Sequence, residues 1–289
     1  MYRLVLFLLL IIALPVLAEP PSSFSAAKRV AWEIHANHKN TFYCGCSYSG
    51  PDNTPDLSSC GYQVRKQEAR ANRIEWEHIM PAYDFGRALQ CWQEGGRSNC
   101  RASDATFRRA EADLVNLVPS LGETNGDRSN MRLGMIAGND YYQYGQCESR
   151  VSFAERTFQP RPEVRGWVAR TYWYMRDTYG ISISSQQNQL FTAWDKQYPV
   201  TDWERLRNRR IAAIQGQGNP YVEKDAPPAA LPTPAANDPV FDDSGFSCET
   251  RKTCSMMRSC DEAMYHLQQC GNTRLDGNKN GVPCQSICR

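Results

Sequence analysis

The sequence predicts an α+β protein, in which a mixed, helix-rich domain is followed by a small domain that depends on disulfides. Two features of residues 22–222 support the first domain: several segments have helical periodicity, and one short segment among them alternates like a strand. The third observation is that six of the twelve cysteines lie between Cys248 and Cys288, near the end of the 289-residue chain. Residues 22–222 are numerous enough to form one large core.

The first 18 residues have the features of a secretory signal peptide. Arg3 gives a short positive start, an apolar run extends from Leu4 to Leu17, and Val16-Leu17-Ala18 predicts cleavage after Ala18. The run is short for a membrane span and is followed by Glu19-Pro20-Pro21, which disfavours an uncleaved anchor. No later stretch of the sequence is long and apolar enough to cross a bilayer. We therefore expect a periplasmic or secreted protein without stable membrane association.

Cysteine spacing and composition divide the mature chain. Six cysteines lie between Cys44 and Cys147 and six lie between Cys248 and Cys288, and in an exported chain an even number predicts disulfides. The stretch 223–245 is rich in proline and alanine, which is typical of an extended linker. We therefore predict two domains, residues 22–222 and 246–289, and the second is so small that disulfides must stabilise it.

The first half of the larger domain is predicted to contain a helix, a disulfide-rich loop and a strand. Ser25 to Asn37 shows the helical spacing of apolar residues, and residues 41–61 combine turn-forming residues with three cysteines. Arg73 to Ile79 alternates polar and apolar residues before Pro81, which predicts a strand that leads into a turn.

The second half is predicted to be mainly helical. Ser103-Asp104 is a suitable N-cap for a helix that reaches Asp113. A loop should follow, since three residues that interrupt regular structure come next: Pro119, Gly122 and Gly126. Residues 162–214 predict two or three further helices, of which the first should end at Gly180 and the last should begin at Thr201-Asp202.

The formal net charge is only +2, so the overall charge is weak evidence for a polyanionic partner. Arginines are nevertheless concentrated locally at Arg108-Arg109, at Arg161/Arg165/Arg170 and at Arg205/Arg207/Arg209/Arg210. Such clusters are typical of surfaces that bind nucleic acids, and they are equally typical of solvated helix faces.

The chain has four histidines, and His78 is the one with the richest chemical surroundings because Glu77 precedes it at the end of the predicted strand. Two interpretations are open. In the first, His78 is a structural histidine and Glu77 is a surface carboxylate. In the second, Glu77 binds a divalent cation through oxygen while His78 acts as a general base on water. Adjacent side chains of a strand face opposite ways, so the second interpretation requires a local bend. A helical zinc protease is excluded, since the sequence contains no His-Glu-x-x-His.

The run from Ile74 to Ala82, followed by Phe85-Gly86, resembles the signature of the bacterial endonuclease I family. The resemblance covers roughly residues 25–218, because further segments agree in order and spacing: Gln90-Cys91-Trp92-Gln93, Gly95-Gly96-Arg97, Asp113 to Leu117, Gly122 to Arg128 and Ala193 to Val200. It implies a ββα-metal (His-Me finger) core and an exported endonuclease without sequence specificity. The substrates implied are single- and double-stranded DNA and also RNA, cleaved to 5′-phosphate products.

Carried over residue by residue, the resemblance implies a site with one metal ion. Glu77 and Asn125 would bind Mg²⁺, for which Mn²⁺ or Ca²⁺ can substitute, and His78 would take the proton from the attacking water. Arg97 would hold the phosphate by charge-assisted hydrogen bonds, and Glu111 would help to order the site. The nucleic acid would be bound through its phosphate backbone, and we expect a monomer.

Two other functions stay open on the residues alone. A secreted ribonuclease without a metal would need a second histidine beside His78, for which His35 and His38 are available. A disulfide-rich binding protein without enzymatic activity would need neither the metal nor the histidines.

Disulfide pairing is partly predictable in the larger domain. Cys91 and Cys100 bracket the segment that leads to Arg97, and we predict that they pair. The other four cysteines of this domain leave three possible pairings: Cys44, Cys46, Cys60 and Cys147.

The segment from Cys254 to Cys284 resembles the excalibur domain, a short extracellular module with a turn like a calcium loop. Asp276, Asn278 and Asn280 match the start of an EF-hand loop, where alternating oxygens bind Ca²⁺. The glutamate that should close the loop is absent, because Ile287 occupies its position. We therefore expect weak Ca²⁺ binding at most and favour a turn held by disulfides.

Overall fold

The computed structural model describes residues 20–50, 52–223, 252–257, 260–268, 270–277 and 283–288. The predicted signal peptide, residues 1–18, and nearly all of the predicted linker, residues 223–245, lie outside the described residues. In the part of the chain that is described, no helix is long and apolar enough to cross a membrane.

The described chain contains both helices and strands, and helix predominates, as the sequence predicts. The helices are α1 (Phe24–Ile34), α2 (Glu68–Ala71), α3 (Ala82–Gly86), α4 (Gln90–Ser103), α5 (Ala105–Ala112), α6 (Gly122–Arg128), α7 (Arg165–Tyr179), α8 (Ser185–Gln197), α9 (Asp202–Gln215), α10 (Pro220–Glu223) and α11 (Cys260–Gln268). The strands are β1 (Tyr48–Ser49), β2 (Thr54–Pro55), β3 (Ile74–His78), β4 (Leu117–Leu121), β5 (Arg132–Leu133), β6 (Tyr142–Tyr144), β7 (Cys147–Ser152) and β8 (Thr157–Gln159).

The strands are arranged in separate small sheets. β1 pairs with β2, β3 pairs with β4, and a four-stranded sheet has the order β5-β8-β7-β6. The antiparallel β3–β4 pair positions the candidate site, with Glu77 opposite Val118 and His78 opposite Leu117. α6 begins directly after β4, so the pairing of β4 with β3 also places α6 beside the candidate site.

β4 and α6 occupy the segment for which the sequence predicts a loop, so that prediction is wrong. β4 is buried at all five positions, and it therefore lacks the alternation that indicates a strand. Pro119 is tolerated because β4 pairs with β3 on one side only. Gly122 and Gly126 do not form turns but lie in α6, where they pack closely against Arg70.

The predicted strand and the predicted helices are confirmed. α1 ends at Ile34 rather than Asn37, and α7, α8 and α9 fill the region for which two or three helices are expected. The predicted helix ends are also present: the side chains of Asp104 and Thr201 cap α5 and α9, and Gly180 ends α7 in the left-handed conformation that favours glycine.

The predicted Cys91–Cys100 disulfide is confirmed. Of the three possible pairings of the other four cysteines in this domain, the structure contains Cys44–Cys147 and Cys46–Cys60. Cys44–Cys147 connects residues 103 positions apart and so ties the loop after α1 to the start of β7. Closing so long a loop restricts the unfolded chain strongly, which favours the folded state.

Two of the arginine clusters contribute to the core rather than to a basic surface. Arg170 is buried and donates hydrogen bonds to Glu204 at 2.7 Å and to Asp195 at 2.6 Å. Arg207 is buried as well and donates to the carbonyl oxygens of Leu114 and Leu117. Their interpretation as nucleic-acid-binding clusters is therefore weakened, since the guanidinium groups of Arg170 and Arg207 already donate to acceptors within the protein.

The C-terminal residues have a hydrophobic cluster of their own, formed by Met257, Ala263, Leu275 and Cys284. The Cys254–Cys284 disulfide is part of it. Asp276, the first residue of the predicted calcium loop, is buried, whereas Asn278 and Asn280 lie outside the described residues. Calcium binding by this loop therefore stays a prediction.

Candidate active site

His78 is buried at the end of β3, where a backbone carbonyl fixes its orientation. Its Nε2 lies 2.8 Å from the carbonyl oxygen of Glu111. Because a carbonyl oxygen can only accept, Nε2 carries the proton and the lone pair lies on Nδ1. The ring is flanked by Phe24, with ring centroids 4.8 Å apart, and by Phe85 at 6.0 Å. Burial, with smaller contributions from nearby arginines, lowers the pKa of His78 to about 4, so the ring is neutral at physiological pH.

Glu77 points into a different environment from His78, as expected for adjacent residues of a strand. β3 pairs with β4 in regular register through His78, so the local bend expected from the sequence is absent from β3. It is buried, its Oε1 accepts a hydrogen bond from the Tyr43 hydroxyl at 2.9 Å, and the Arg128 guanidinium lies 3.4 Å away. Burial raises the pKa of Glu77 to about 7 although Arg128 and Tyr43 act in the opposite direction. The carboxylate is thus only partly compensated for its loss of water, and an additional positive charge would stabilise its ionised form.

Arg97 and Glu111 form an ion pair beside His78. Arg97 Nε donates to Glu111 Oε1 at 2.6 Å, and Arg101, one helical turn later, donates to both oxygens of the same carboxylate. Burial would raise the pKa of Glu111, but these hydrogen bonds lower it below its ordinary value. Arg97 is also close enough to lower the pKa of both Glu77 and His78, so its charge acts on both residues.

One nitrogen of Arg97 is still available to donate a hydrogen bond. Arg97 Nη2 is buried and has no hydrogen-bond partner among the described residues. An unpaired buried guanidinium nitrogen is costly unless a ligand supplies the acceptor. A phosphate oxygen is a suitable acceptor, because phosphate forms strong charge-assisted hydrogen bonds with arginine.

A kink in α4 sets the position of Arg97. The helical course of α4 is interrupted at Gly95 and Gly96, and Gly96 has a φ of 64°, a left-handed conformation in which residues with a side chain are strained. The Cys91–Cys100 disulfide spans this interruption. Arg97 is therefore the first residue of the second helical part of α4, and the disulfide holds that part against the first.

Asn125 lies on α6, and its side-chain amide donates to Glu75 Oε2 at 2.9 Å. Since Nδ2 faces Glu75, the amide oxygen Oδ1 faces away from it. Glu75 is on the same face of β3 as Glu77, two residues earlier, and its charge acts on Glu77. The structure therefore brings the predicted residues together as two groups, His78 with Arg97 and Glu111, and Glu77 with Asn125 through Glu75.

The residues present fit a hard divalent cation. Glu77 offers a carboxylate whose close contacts to Tyr43 and Arg128 both fall on Oε1, and Asn125 offers an amide oxygen. Oxygen ligands of this kind suit Mg²⁺, which keeps several of its waters. Within the described residues, no three side chains of His, Cys, Asp or Glu come together as a metal site.

Sequence reasoning missed four residues of this site. Phe24 packs on His78, and both Arg97 and Arg101 lie over its ring. Tyr43 and Arg128 contact Glu77. Arg101 had a signal in the sequence, because it lies four residues after Arg97 and so on the same face of α4. Arg128 ends the segment Gly122 to Arg128 that carries the family resemblance, whereas Phe24 and Tyr43 come from distant parts of the chain and have no local signal.

The two histidines available for a metal-independent mechanism are placed elsewhere. His35 is buried against Trp76 and Trp203, and Arg207 donates to its Nε2 at 3.3 Å. His38 stacks on Trp203 with ring centroids 4.1 Å apart. The ring contacts of His78 are instead with phenylalanines, so the arrangement gives the two-histidine alternative no support.

Comparison with known proteins adds independent information. Residues 25–226 match the Endonuclease I family, and residues 251–284 match the Excalibur calcium-binding domain. A protein named periplasmic deoxyribonuclease from Aeromonas hydrophila is 49% identical over 220 residues, which is 75% of this chain and 92% of the relative. An extracellular deoxyribonuclease from the same organism is 50% identical over 217 residues, 74% of this chain and 93% of the relative.

A more distant relative supports the same assignment. The protein named Endonuclease-1 from Buchnera aphidicola subsp. Acyrthosiphon pisum is 44% identical over 204 residues, which is 70% of this chain and 81% of the relative. The family match covers most of the described chain, and it includes every residue of the candidate active site except Phe24. This chain therefore belongs to the endonuclease I family and carries an excalibur domain near its C-terminal end.

Proposed function

We propose that this protein is an exported endonuclease that hydrolyses phosphodiester bonds of single- and double-stranded DNA, and of RNA, to 5′-phosphate products. The observation that carries the proposal is the buried, neutral His78, whose Nε2 is held by Glu111 and whose Nδ1 lone pair stays available. Family membership and the names of the relatives, which are called periplasmic and extracellular deoxyribonucleases, support the part of the proposal that concerns DNA. Export after cleavage near Ala18 would give the protein a periplasmic or extracellular location.

His78 is the proposed general base. Nδ1 takes a proton from the attacking water, and the ring becomes an imidazolium that donates through Nε2 to the Glu111 carbonyl. That hydrogen bond favours the cationic ring and fixes its orientation in both protonation states. Phe24 and Phe85 restrict rotation of the ring, so Nδ1 faces one direction throughout.

Arg97 is the proposed phosphate-binding residue. Glu111 holds its Nε, and this contact leaves Nη2 for an oxygen of the scissile phosphate. Contacts of this kind hold the backbone without reading a base, which explains why we propose no sequence specificity and include both DNA and RNA. They require only one protein chain, consistent with a monomer.

Glu77 and Asn125 are the proposed ligands of Mg²⁺, with Mn²⁺ or Ca²⁺ as substitutes. When bound, the cation would supply Lewis-acid stabilisation of the charge that develops on the phosphate and on the leaving oxygen. β3 carries Glu77 and α6 carries Asn125, and β4 pairs with β3 and leads directly into α6; we propose that this strand, strand and helix form the ββα-metal core.

A chelation experiment tests the proposal. Supercoiled plasmid and a single-stranded RNA should both be cleaved in the presence of Mg²⁺, and EDTA should abolish both activities because the charge on the phosphate is no longer neutralised. Addition of excess Mg²⁺ should restore them. RNA cleavage that persists in EDTA would contradict the proposal and favour a ribonuclease without a metal.

Replacement of Arg97 by alanine should lower cleavage by about 10- to 100-fold, the effect of one lost charge-assisted hydrogen bond. Arg97→Lys should not restore the rate, because a single ammonium cannot contact both Glu111 and a phosphate in the geometry of a guanidinium. Steady-state kinetics on a short duplex measures the effect. Arg87→Ala, which removes a cation that packs on Tyr83, is the matched control. A loss as large as that of His78→Ala would contradict a role limited to one hydrogen bond to the phosphate.

A further inference from the structure

Glu75 lies on β3 two residues before Glu77 and makes an unusual number of polar contacts. Arg70 donates to it through Nε at 3.1 Å and through Nη2 at 2.5 Å. Arg73 donates through Nε at 2.9 Å and through Nη2 at 2.7 Å. The amide of Asn125 is a fifth donor, at 2.9 Å. An ionised carboxylate has about four lone-pair sites, so Glu75 has little capacity left to bind a cation directly.

The helix that carries Asn125 is shaped to approach this cluster. Gly122, Asn125 and Gly126 lie on one face of α6, because they are three and four residues apart. A Cβ added at Gly126 would lie 2.0 Å from Arg70 Nη1, and one at Gly122 would lie 2.8 Å from Glu75 Oε1. A Cβ at Gly122 would also lie 2.7 Å from the backbone oxygen of Arg70, so a larger residue there would push α6 away, whereas a larger residue at Gly126 would displace the Arg70 guanidinium. The two glycines thus permit the close approach that brings the Asn125 amide to Glu75.

The hydrogen bond to Glu75 determines the orientation of the Asn125 amide. A carboxylate can only accept hydrogen bonds, and the asparagine amide has its donors on Nδ2 and its acceptor on Oδ1. Nδ2 must therefore face Glu75, and Oδ1 must face the other side.

We propose that Glu75 is a positioning residue of the cation site, which orients Asn125 so that its amide oxygen serves as a ligand. The inference rests on the proposed function, because it requires that Glu77 and Asn125 bind the cation. Arg70 and Arg73 act indirectly, since they hold Glu75 in the position from which it contacts Asn125. Residues that orient a metal ligand typically change metal affinity by about 10- to 100-fold when they are removed.

A double-mutant cycle on Mn²⁺ affinity tests this role without reference to catalysis. Isothermal titration calorimetry would compare the full chain with Glu75→Ala, Asn125→Asp and the double variant. We expect Glu75→Ala to weaken Mn²⁺ binding by about 10- to 100-fold. An aspartate at position 125 has two equivalent oxygens and needs no orientation, but beside Glu75 it is repelled. The double variant should therefore bind Mn²⁺ more tightly than Glu75→Ala.

Controls separate this role from a structural one. Glu68→Ala removes an exposed carboxylate from the neighbouring α2, and it should leave Mn²⁺ affinity unchanged. If Glu75→Ala does not fold, Glu75→Gln replaces it in the cycle, because a glutamine can donate to the aspartate. If Asn125→Asp changes Mn²⁺ affinity equally with and without Glu75, the positioning role of Glu75 is overturned and the cation site is not. Absence of Mn²⁺ binding by the unmodified protein would overturn the cation site itself, and the role of Glu75 with it.

Discussion

Replacement of His78 by alanine is expected to lower the rate of plasmid nicking by about 10²- to 10⁴-fold, the usual contribution of a general base. The structure explains why another group should not take over. Nε2 is committed to the Glu111 carbonyl, so Nδ1 is the single basic atom that the ring offers. Arg97 and Arg101, the charged neighbours that act on the ring together with Glu111, are cations and cannot accept a proton.

The measurement is the initial rate of nicking at saturating Mg²⁺ and neutral pH, with the wild-type protein in parallel. His38→Ala is the matched control, since His38 stacks on Trp203 and lies outside the candidate site. It should retain the wild-type rate. A comparable loss in both variants would favour the mechanism with two histidines, and full activity of His78→Ala would favour a binding protein or a different catalytic centre.

The fold was predictable where local signals agree with tertiary packing. α5 and α9 begin at capping side chains and α7 ends at a glycine, and each of these ends is readable from the sequence. β4 was not predictable, because it is buried on all sides and contains Pro119. The kinked α4 was also not predicted, since Gly95-Gly96 interrupts its helical pattern and the Cys91–Cys100 disulfide restores its continuity.

The candidate site was predictable in part. Glu77 and His78 are adjacent in the chain, so their types alone suggest a ligand and a base. Arg97, Glu111 and Asn125 lie on three other elements, and only the family resemblance connects them with His78. The sequence assigns Glu75 no role in the site. Glu75 faces away from His78 on β3, and nothing in the local sequence pattern connects such a residue with the catalytic chemistry. Its contact with Asn125 depends on how closely α6 packs, which no local pattern encodes.

Glu77→Gln should lower activity by more than about 100-fold, which makes it the counterpart of the histidine variant. A neutral amide can accept a hydrogen bond from Tyr43, so the packing around residue 77 should persist. It cannot supply the charge that attracts a divalent cation. Mn²⁺ binding measured by calorimetry should therefore be lost together with plasmid cleavage. Retention of tight Mn²⁺ binding by this variant would remove Glu77 from the cation site.

The stability of the metal-free protein provides a second test of Glu77, because the sign of its pH dependence can be predicted. Burial raises the pKa of Glu77 to about 7 in the folded protein, above the ordinary value of 4.5. The folded state then binds a proton more tightly than the unfolded state, so the free energy of unfolding should fall as pH rises from about 4.5 through about 7. Glu77→Gln should abolish this contribution and leave the metal-free protein at least as stable as the wild type above pH 7.

Mn²⁺ should reverse the pH dependence in the wild type, because a cation requires the ionised carboxylate and competes with the proton. Its stabilising effect, measured as the increase in Tm, should grow as pH rises through about 7, and it should be absent in Glu77→Gln. A buried carboxylate that binds a cation should lower the stability of the fold when the cation is absent and raise it when the cation is bound. An increase in Tm that is equal in both proteins would place the cation away from Glu77.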